Sequence, residues 1–161
     1  DTRDSSDIPI YSVPSEPVGH IKNTYPPKKL IDCSPDNILF SYASDGSNAG
    51  SNFVLHDRPF YVTANRAVIE IVSKEIYPAF LLYGLRNMRT EYDFAWANKA
   101  GKGHIMDKKV VISIPIKDNG EGDLNMQMKI IRAYEKITLL TQHISDISKE
   151  LKLIDMDIML Q

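Results

Sequence analysis

At 161 residues, 43% hydrophobic and 25% charged, the chain has the size of one domain and the composition of an ordinary globular protein, which excludes the collagen-like and compositionally disordered classes. A single cysteine, Cys33, rules out an internal disulfide, and without a basic-then-apolar leader or an apolar run of ~18 residues the expectation is a cytoplasmic protein with no membrane partner. The net charge of −2 argues against a uniformly nucleic-acid-binding surface, yet Arg86, Arg89, Lys99, Lys102, Lys108 and Lys109 face only Glu91, Asp93 and Asp107, so a modest basic surplus sits within 86–109.

The chain opens with DTRDSSD, a polar start over 1–7 that reads as a linker or a cut end, so a piece of something longer is expected. Residues 8–72 read as short strands with turn punctuation: IPIYS, a Pro- and Lys-rich connection through YPPKKL, then NILFSYA, NFVL, FYV and AVIEIV. Each is β-branched or aromatic and bounded by Gly, Pro, Asp or Asn. Ile76, Phe80, Leu81, Leu85 and Met88 fall at helical spacing and predict a helix over about 76–90, with Pro78 in its first turn. KKVVISIPI, 108–116, reads as a further strand, and KDNGEGD as a polar acidic loop that interrupts regular structure.

The final segment has a different character. Ile130, Ala133, Ile137, Leu140, Ile144, Ile147, Leu151, Ile154 and Ile158 alternate by threes and fours, the seam of a coiled coil, and no Pro or Gly interrupts 125–161. One helix of ~35 residues, ~50 Å long, is expected to project from the body and to need a partner along its seam. The competing reading is an amphipathic helix that folds back over the sheet, although the narrow two-position stripe favours projection.

Catalysis is not visible in this chain. DGSNAG, 45–50, lacks the following Lys and helix of a phosphate-cradling loop, and KAGKGH, 99–104, lacks the Ser/Thr and the preceding strand. The histidines His20, His56, His104 and His143 are far apart, none at i,i+4, and Cys33 is near none of them, so no metal or other cofactor is predicted. Ser44, Ser47 and Ser51 have no nucleophile-elbow context. On turn chemistry alone, DGSNAG is a connection between strands: Asp45-Gly46 is a favoured hairpin pair and Gly50 tolerates positive φ. That accounts for the glycines and leaves the Ser and Asn side chains without a role.

NILFSYASDGSNAG followed by FYVTANRAVIEI resembles the target-recognition domain of the DNA-specificity subunits of Type I restriction-modification systems. That family carries, in order, I-P-V-Y-S, T-x-D-G-x-N-A-G, F-x-x-[ST]-x-N, a strand ending I-P-I-P, and a Gln that opens a long helix. The matches here are IPIYS from Ile8 to Ser12; Asp45, Gly46, Asn48, Ala49 and Gly50; Phe60, Thr63 and Asn65; ISIPI at 112–116; and Gln127 ahead of KIIRAYEKI. Lys117 replaces the second proline, the loop before Gln127 is longer and more acidic, and one recognition domain is present rather than two. Those departures resemble the specificity regions of Type IIB and IIG enzymes, so the system type stays open.

The resemblance implies an α+β fold: a globular, mostly-β target-recognition domain with a few helices over 8–123, then a long coiled-coil spacer helix over 124–161. It implies a non-catalytic component that reads one half of a split site in double-stranded DNA and positions methyltransferase and restriction subunits or domains. Implied DNA contacts are Ser12, Lys22, Ser44, Asp45, Ser47, Asn48, Arg86, Arg89, Lys99, Lys102 and His104, since Asn suits adenine edges and Arg or Lys suit guanine edges and phosphates. Ile137, Leu140, Ile144, Ile147, Leu151, Ile154 and Ile158 would meet a sister helix or a second copy of the chain. Two rival readings are a coiled-coil adaptor that binds only protein and an enzyme domain whose catalytic residues carry no local signature.

Overall fold

A computed structural model describes residues 7–22 and 30–159, with side chains described up to residue 151. The connection expected through 25–30 lies outside the described residues except for Leu30, as do residues 1–6 of the expected linker.

Two three-stranded sheets form the body. In the smaller, β1 (Ile8–Tyr11) is central, antiparallel to β2 (Gly19–Ile21) and parallel to β5 (Tyr61–Val62). In the larger, β3 (Leu39–Ala43) lies between β4 (Ser51–His56) and β6 (Arg66–Glu70), antiparallel to both. All five residues of β3 are buried, which is why its segment reads as a near-continuous apolar run rather than an alternating one. Its period of two serves two cores at once. Leu39 joins Tyr11, Cys33 and Phe60 in the core associated with the small sheet. Phe40 and Tyr42 belong to a second core with Leu85, Met88, Phe94 and Ala100, against which Val110 and Ile112 also pack.

Helical structure after the strands is shorter than the periodicity predicts. Where one helix was expected over 76–90, α1 (Pro78–Leu85) ends, Arg86 and Asn87 turn, and α2 (Met88–Glu91) restarts. Asn87 sits at φ −96°, ψ 4°, a turn conformation. Leu85 and Met88, both buried, keep the apolar spacing across the break. A short α3 (Lys102–Asp107), hidden in the sequence by its glycines, follows.

The expected strand over 108–116 does not form. Burial does alternate there, with Val110, Ile112 and Ile114 half-buried and Val111 and Ser113 exposed, but among the described residues no neighbouring strand pairs with it and only Ile116 makes a bridge, to Gly122. Alternating hydrophobicity reports the burial of a straight segment, not its hydrogen-bond partner.

Finally α4 (Leu124–Met159) runs for 36 residues, ~54 Å. The chain is therefore α+β, two small sheets with helices and a long C-terminal helix. Among the described residues no helix is long and apolar enough to cross a membrane.

Candidate functional site

One buried arginine, directly after the 60–65 stretch, ties together Ser12 and Pro14 following β1, Ser41 of β3 and Asn52 of β4. Arg66, 4% exposed, donates from Nε to Ser41 Oγ (2.7 Å), from Nη1 to the carbonyls of Ser12 (2.7 Å) and Pro14 (2.9 Å), and from Nη2 to that of Asn52 (2.7 Å). Burial lowers its pKa to about 10, so it remains charged at neutral pH, solvated by carbonyl dipoles. Ser41 Oγ, which accepts from Arg66 Nε, also shares a hydrogen bond with His56 Nε2, 2.6 Å away. His56 stacks on Phe60, and burial with the nearby Arg66 charge pushes its pKa down to about 4, so the imidazole is neutral. Ser41 and His56 are both buried, which makes this pair a link inside the core.

Further bonds close the junction. Ser12 Oγ and Thr63 Oγ1 are 3.0 Å apart, the Thr63 N–H donates to the Tyr11 carbonyl (2.9 Å), and the Ser44 N–H donates to the Asn65 carbonyl (2.9 Å). The sequence segments that carry the resemblance are thus sewn together at one end of the two sheets.

The loop between β3 and β4 is built on this junction. In place of the expected Asp45-Gly46 hairpin pair there is a 3-10 turn, Gly46–Asn48, whose first N–H is capped by Asp45 Oδ1 (2.7 Å). Gly50 sits at φ +76°, and a Cβ there would lie 2.8 Å from Cδ2 of Phe94, so glycine is required twice over. The other Asp45 oxygen accepts from Lys99 Nζ at 2.6 Å. That hydrogen bond and the Gly46 N–H hold the Asp45 carboxyl below its usual range. Beside the pair opens a cleft of about 340 Å³ lined by Val13, Asp45, Gly46, Ser47, Asn65, Trp96 and Lys99.

Of the residues predicted to contact DNA, Asp45, Ser47 and Lys99 come together at this cleft, and His104 is one bond away through Nδ1 to the Lys99 carbonyl (2.7 Å). Ser44 and Ser12 belong to the junction beneath. Asn48 is half-buried, its carbonyl accepting from Ser51 Oγ (2.7 Å). Lys22, just after β2, is exposed, as are Arg89 on α2 and Lys102 at the start of α3. Arg86 stands elsewhere: its guanidinium lies 3.8 Å over the Tyr83 ring and 5.1 Å from the Tyr134 ring, where α1 meets α4. Sequence reasoning missed Val13, Arg66 and Trp96, and picked Asn65 as a motif match without assigning it a contact. Arg66 directly follows the matched Asn65, and Trp96 is the chain's single tryptophan, set among turn-forming residues.

The root of α4 is clamped. Asp123 caps it, accepting at Oδ1 from the Met126 N–H (2.9 Å). Gln127, fully buried, accepts at Oε1 from the Tyr77 N–H (2.8 Å) and donates from Nε2 to the Glu75 carbonyl (2.8 Å). A Cβ on Gly122 would lie 2.5 Å from that same Glu75 carbonyl oxygen, so only glycine permits the approach. Ile131 is buried, and Tyr134 packs on Tyr83 with ring centres 3.9 Å apart. An apolar groove of about 590 Å³ between α1 and α4 is lined by Leu55, Ala79, Leu82, Tyr83, Ile131, Tyr134 and Leu139. Beyond it the predicted seam is bare, Ile137, Leu140, Ile144, Ile147 and Leu151 being 57–68% exposed. The side chains of Ile154 and Ile158 lie outside the described residues.

Comparison of the chain with protein-family models, with curated proteins and with solved structures finds no match in any of the three.

Proposed function

We propose that this chain is the non-catalytic DNA-recognition component of a restriction-modification system, reading one half of a split site and placing methyltransferase and nuclease parts on it. The observation that carries the reading is convergence of stretches whose order in the sequence resembles a target-recognition domain: 8–12 is bonded to 60–65 through Ser12 and Tyr11 to Thr63, Ser44 is bonded to Asn65, and the 45–50 loop shares one polar cleft with Val13 and Asn65. Small residues at Gly46 and Ser47 let a duplex approach the backbone, and Lys99 offers two further ammonium donors beyond the one engaged by Asp45. Lys102 and His104, both exposed on α3, are further contacts in this reading.

The long helix supplies the second half of the proposal. Its exposed seam is a coiled-coil surface for a sister helix or a second copy, and the groove at its root is where a methyltransferase element docks. Two recognition domains at opposite ends of an antiparallel pair would stand ~54 Å apart, ~16 base steps at ~3.4 Å each, the scale of a split site with an unread gap.

Selection of duplexes from a random-sequence pool, followed by gel shift against scrambled competitors, tests this reading. Enrichment of a short sequence that scrambled DNA fails to compete supports it. Equal retention of all duplexes, with the chain still pairing through its helix, would turn the assignment to the protein-only adaptor.

A further inference from the structure

Trp96 is 74% exposed, although it is the largest apolar side chain in the protein. Its turn is closed by reciprocal backbone bonds, Ala95 N–H to the Asn98 carbonyl (2.9 Å) and Asn98 N–H to the Ala95 carbonyl (3.1 Å). Asn98 Nδ2 also donates to the Asp93 carbonyl (2.7 Å), and Asp93 holds φ +53°. On one side Phe94 is buried against Gly50, and on the other the Tyr42 hydroxyl donates to the Ala100 carbonyl (2.8 Å) while Lys99 pairs with Asp45. The segment is thus anchored to the core, to the Asp45 loop and to itself. The indole is left in water, on the wall of the cleft that also carries Ser47, Asn65 and Lys99.

A rigid aromatic on a fixed turn loses little conformational freedom on binding, and an exposed indole contributes nothing to the fold. The cleft, at about 340 Å³, lies at the small end of ligand sites, suited to one planar heterocycle rather than to a peptide. Around an indole face it gathers an ammonium, a hydroxyl and an amide, the set that recognises the face and polar edge of a nucleobase. We propose that Trp96 and this cleft form a base-contacting subsite. The indole packs on a base turned out of the duplex stack, Ser47 and Asn65 hydrogen-bond to its edge, and Asp45 acts as a positioning residue that aims Lys99. The inference rests on the DNA-recognition reading and adds a residue and a mode of contact to it.

As the chain's single tryptophan, Trp96 reports on itself. The whole chain is titrated with a random-sequence duplex while Trp96 emission and gel shift are followed in parallel. Expected are quenching that saturates at the gel-shift Kd, binding about tenfold to a hundredfold weaker for Trp96→Ala, and near-normal binding for Trp96→Phe. An exposed turn residue can be replaced without unfolding, which circular dichroism of both variants checks. If the duplex shifts but emission is unchanged and Trp96→Ala binds as the unaltered chain does, the subsite is wrong and the DNA reading stands. If the unaltered chain shifts no duplex at all, the DNA reading falls and the subsite falls with it.

Discussion

The root and the shaft of α4 belong to one continuous helix and are governed by different faces of it. At the root the body meets Gln127, Ile131, Tyr134 and Thr138, a stripe in steps of four, three and four. The shaft carries its aliphatics at Ile137, Leu140, Ile144, Ile147 and Leu151, a stripe of the same period displaced by one residue, or ~100° around the axis. The root thus buries a face with one polar clamp and few apolar residues, while the face richest in isoleucine and leucine stays in water. The body covers little of this aliphatic face between Ile137 and Leu151, and under the proposed function that face is the one a second helix would use.

The sharpest way to break this contrast is at Gln127. Gln127→Leu keeps the size but leaves the Tyr77 N–H and the Glu75 carbonyl without partners inside the protein, and should lower unfolding stability by about 3–4 kcal/mol in urea melts. A loss under ~1 kcal/mol would mean that the root is held by Ile131 and the tyrosines instead.

The anchored body should also answer to pH where the shaft does not. His56 titrates near 6.5 when unfolded and at about 4 when folded, so the unfolded chain binds the extra proton. Stability is fully present above pH 6.5, falls as the pH drops from 6.5 to 4 and then levels, by up to about 3 kcal/mol. Denaturant midpoints across that range should decline less steeply for His56→Gln. Parallel slopes would remove His56 from the account.

Gly122→Ala is next in size, at about 2 kcal/mol, because the new methyl meets the backbone oxygen of Glu75 rather than a movable side chain. The same melts measure it, and an unchanged midpoint would show that the loop before α4 yields.

The smallest effect on stability belongs to the shaft. Ile147→Asp with Leu151→Asp should move the body's melting by less than ~0.5 kcal/mol while abolishing association seen by light scattering. If mass in solution and methyltransferase binding both survive the double change, the seam has no partner.

Much of the body was readable before folding because its strands are β-branched or aromatic and bounded by turn-forming residues: 8–12, 37–43 and 52–55 all lie over observed strands. The error at 108–116 has the same origin, since β-branched residues pack on a core whether or not a ladder exists. A helix over 76–90 was readable as apolar spacing, whereas the Asn87 turn that divides it depends on one residue's conformation. The length of α4 was legible from its unbroken seam, but the face it offers the body was not, because Gln127 and Tyr134 look like surface residues until Tyr77 and Tyr83 are beside them. At the candidate site, Asp45 could be picked from its turn. Its engagement with Lys99, 54 positions away, and the cleft shared with Trp96 are products of tertiary folding that no local pattern encodes.

The clamp at Gln127 sets an angular phase as well as a distance. A helix gripped at its root cannot swivel freely, so the direction of its seam is fixed relative to the Asp45 loop. Removing one heptad, 144–150, would return the seam to within ~20° of its former direction while shortening the rod by ~10 Å. On a DNA duplex the same ~10 Å is about 3 base pairs, close to a third of a turn at ~10.5 base pairs per turn. Under the DNA reading, a shortened rod would therefore present its far domain to the wrong side of the duplex unless the DNA twists or the pair rotates. The gaps such a protein tolerates would then come in discrete steps set by two helices of unequal pitch.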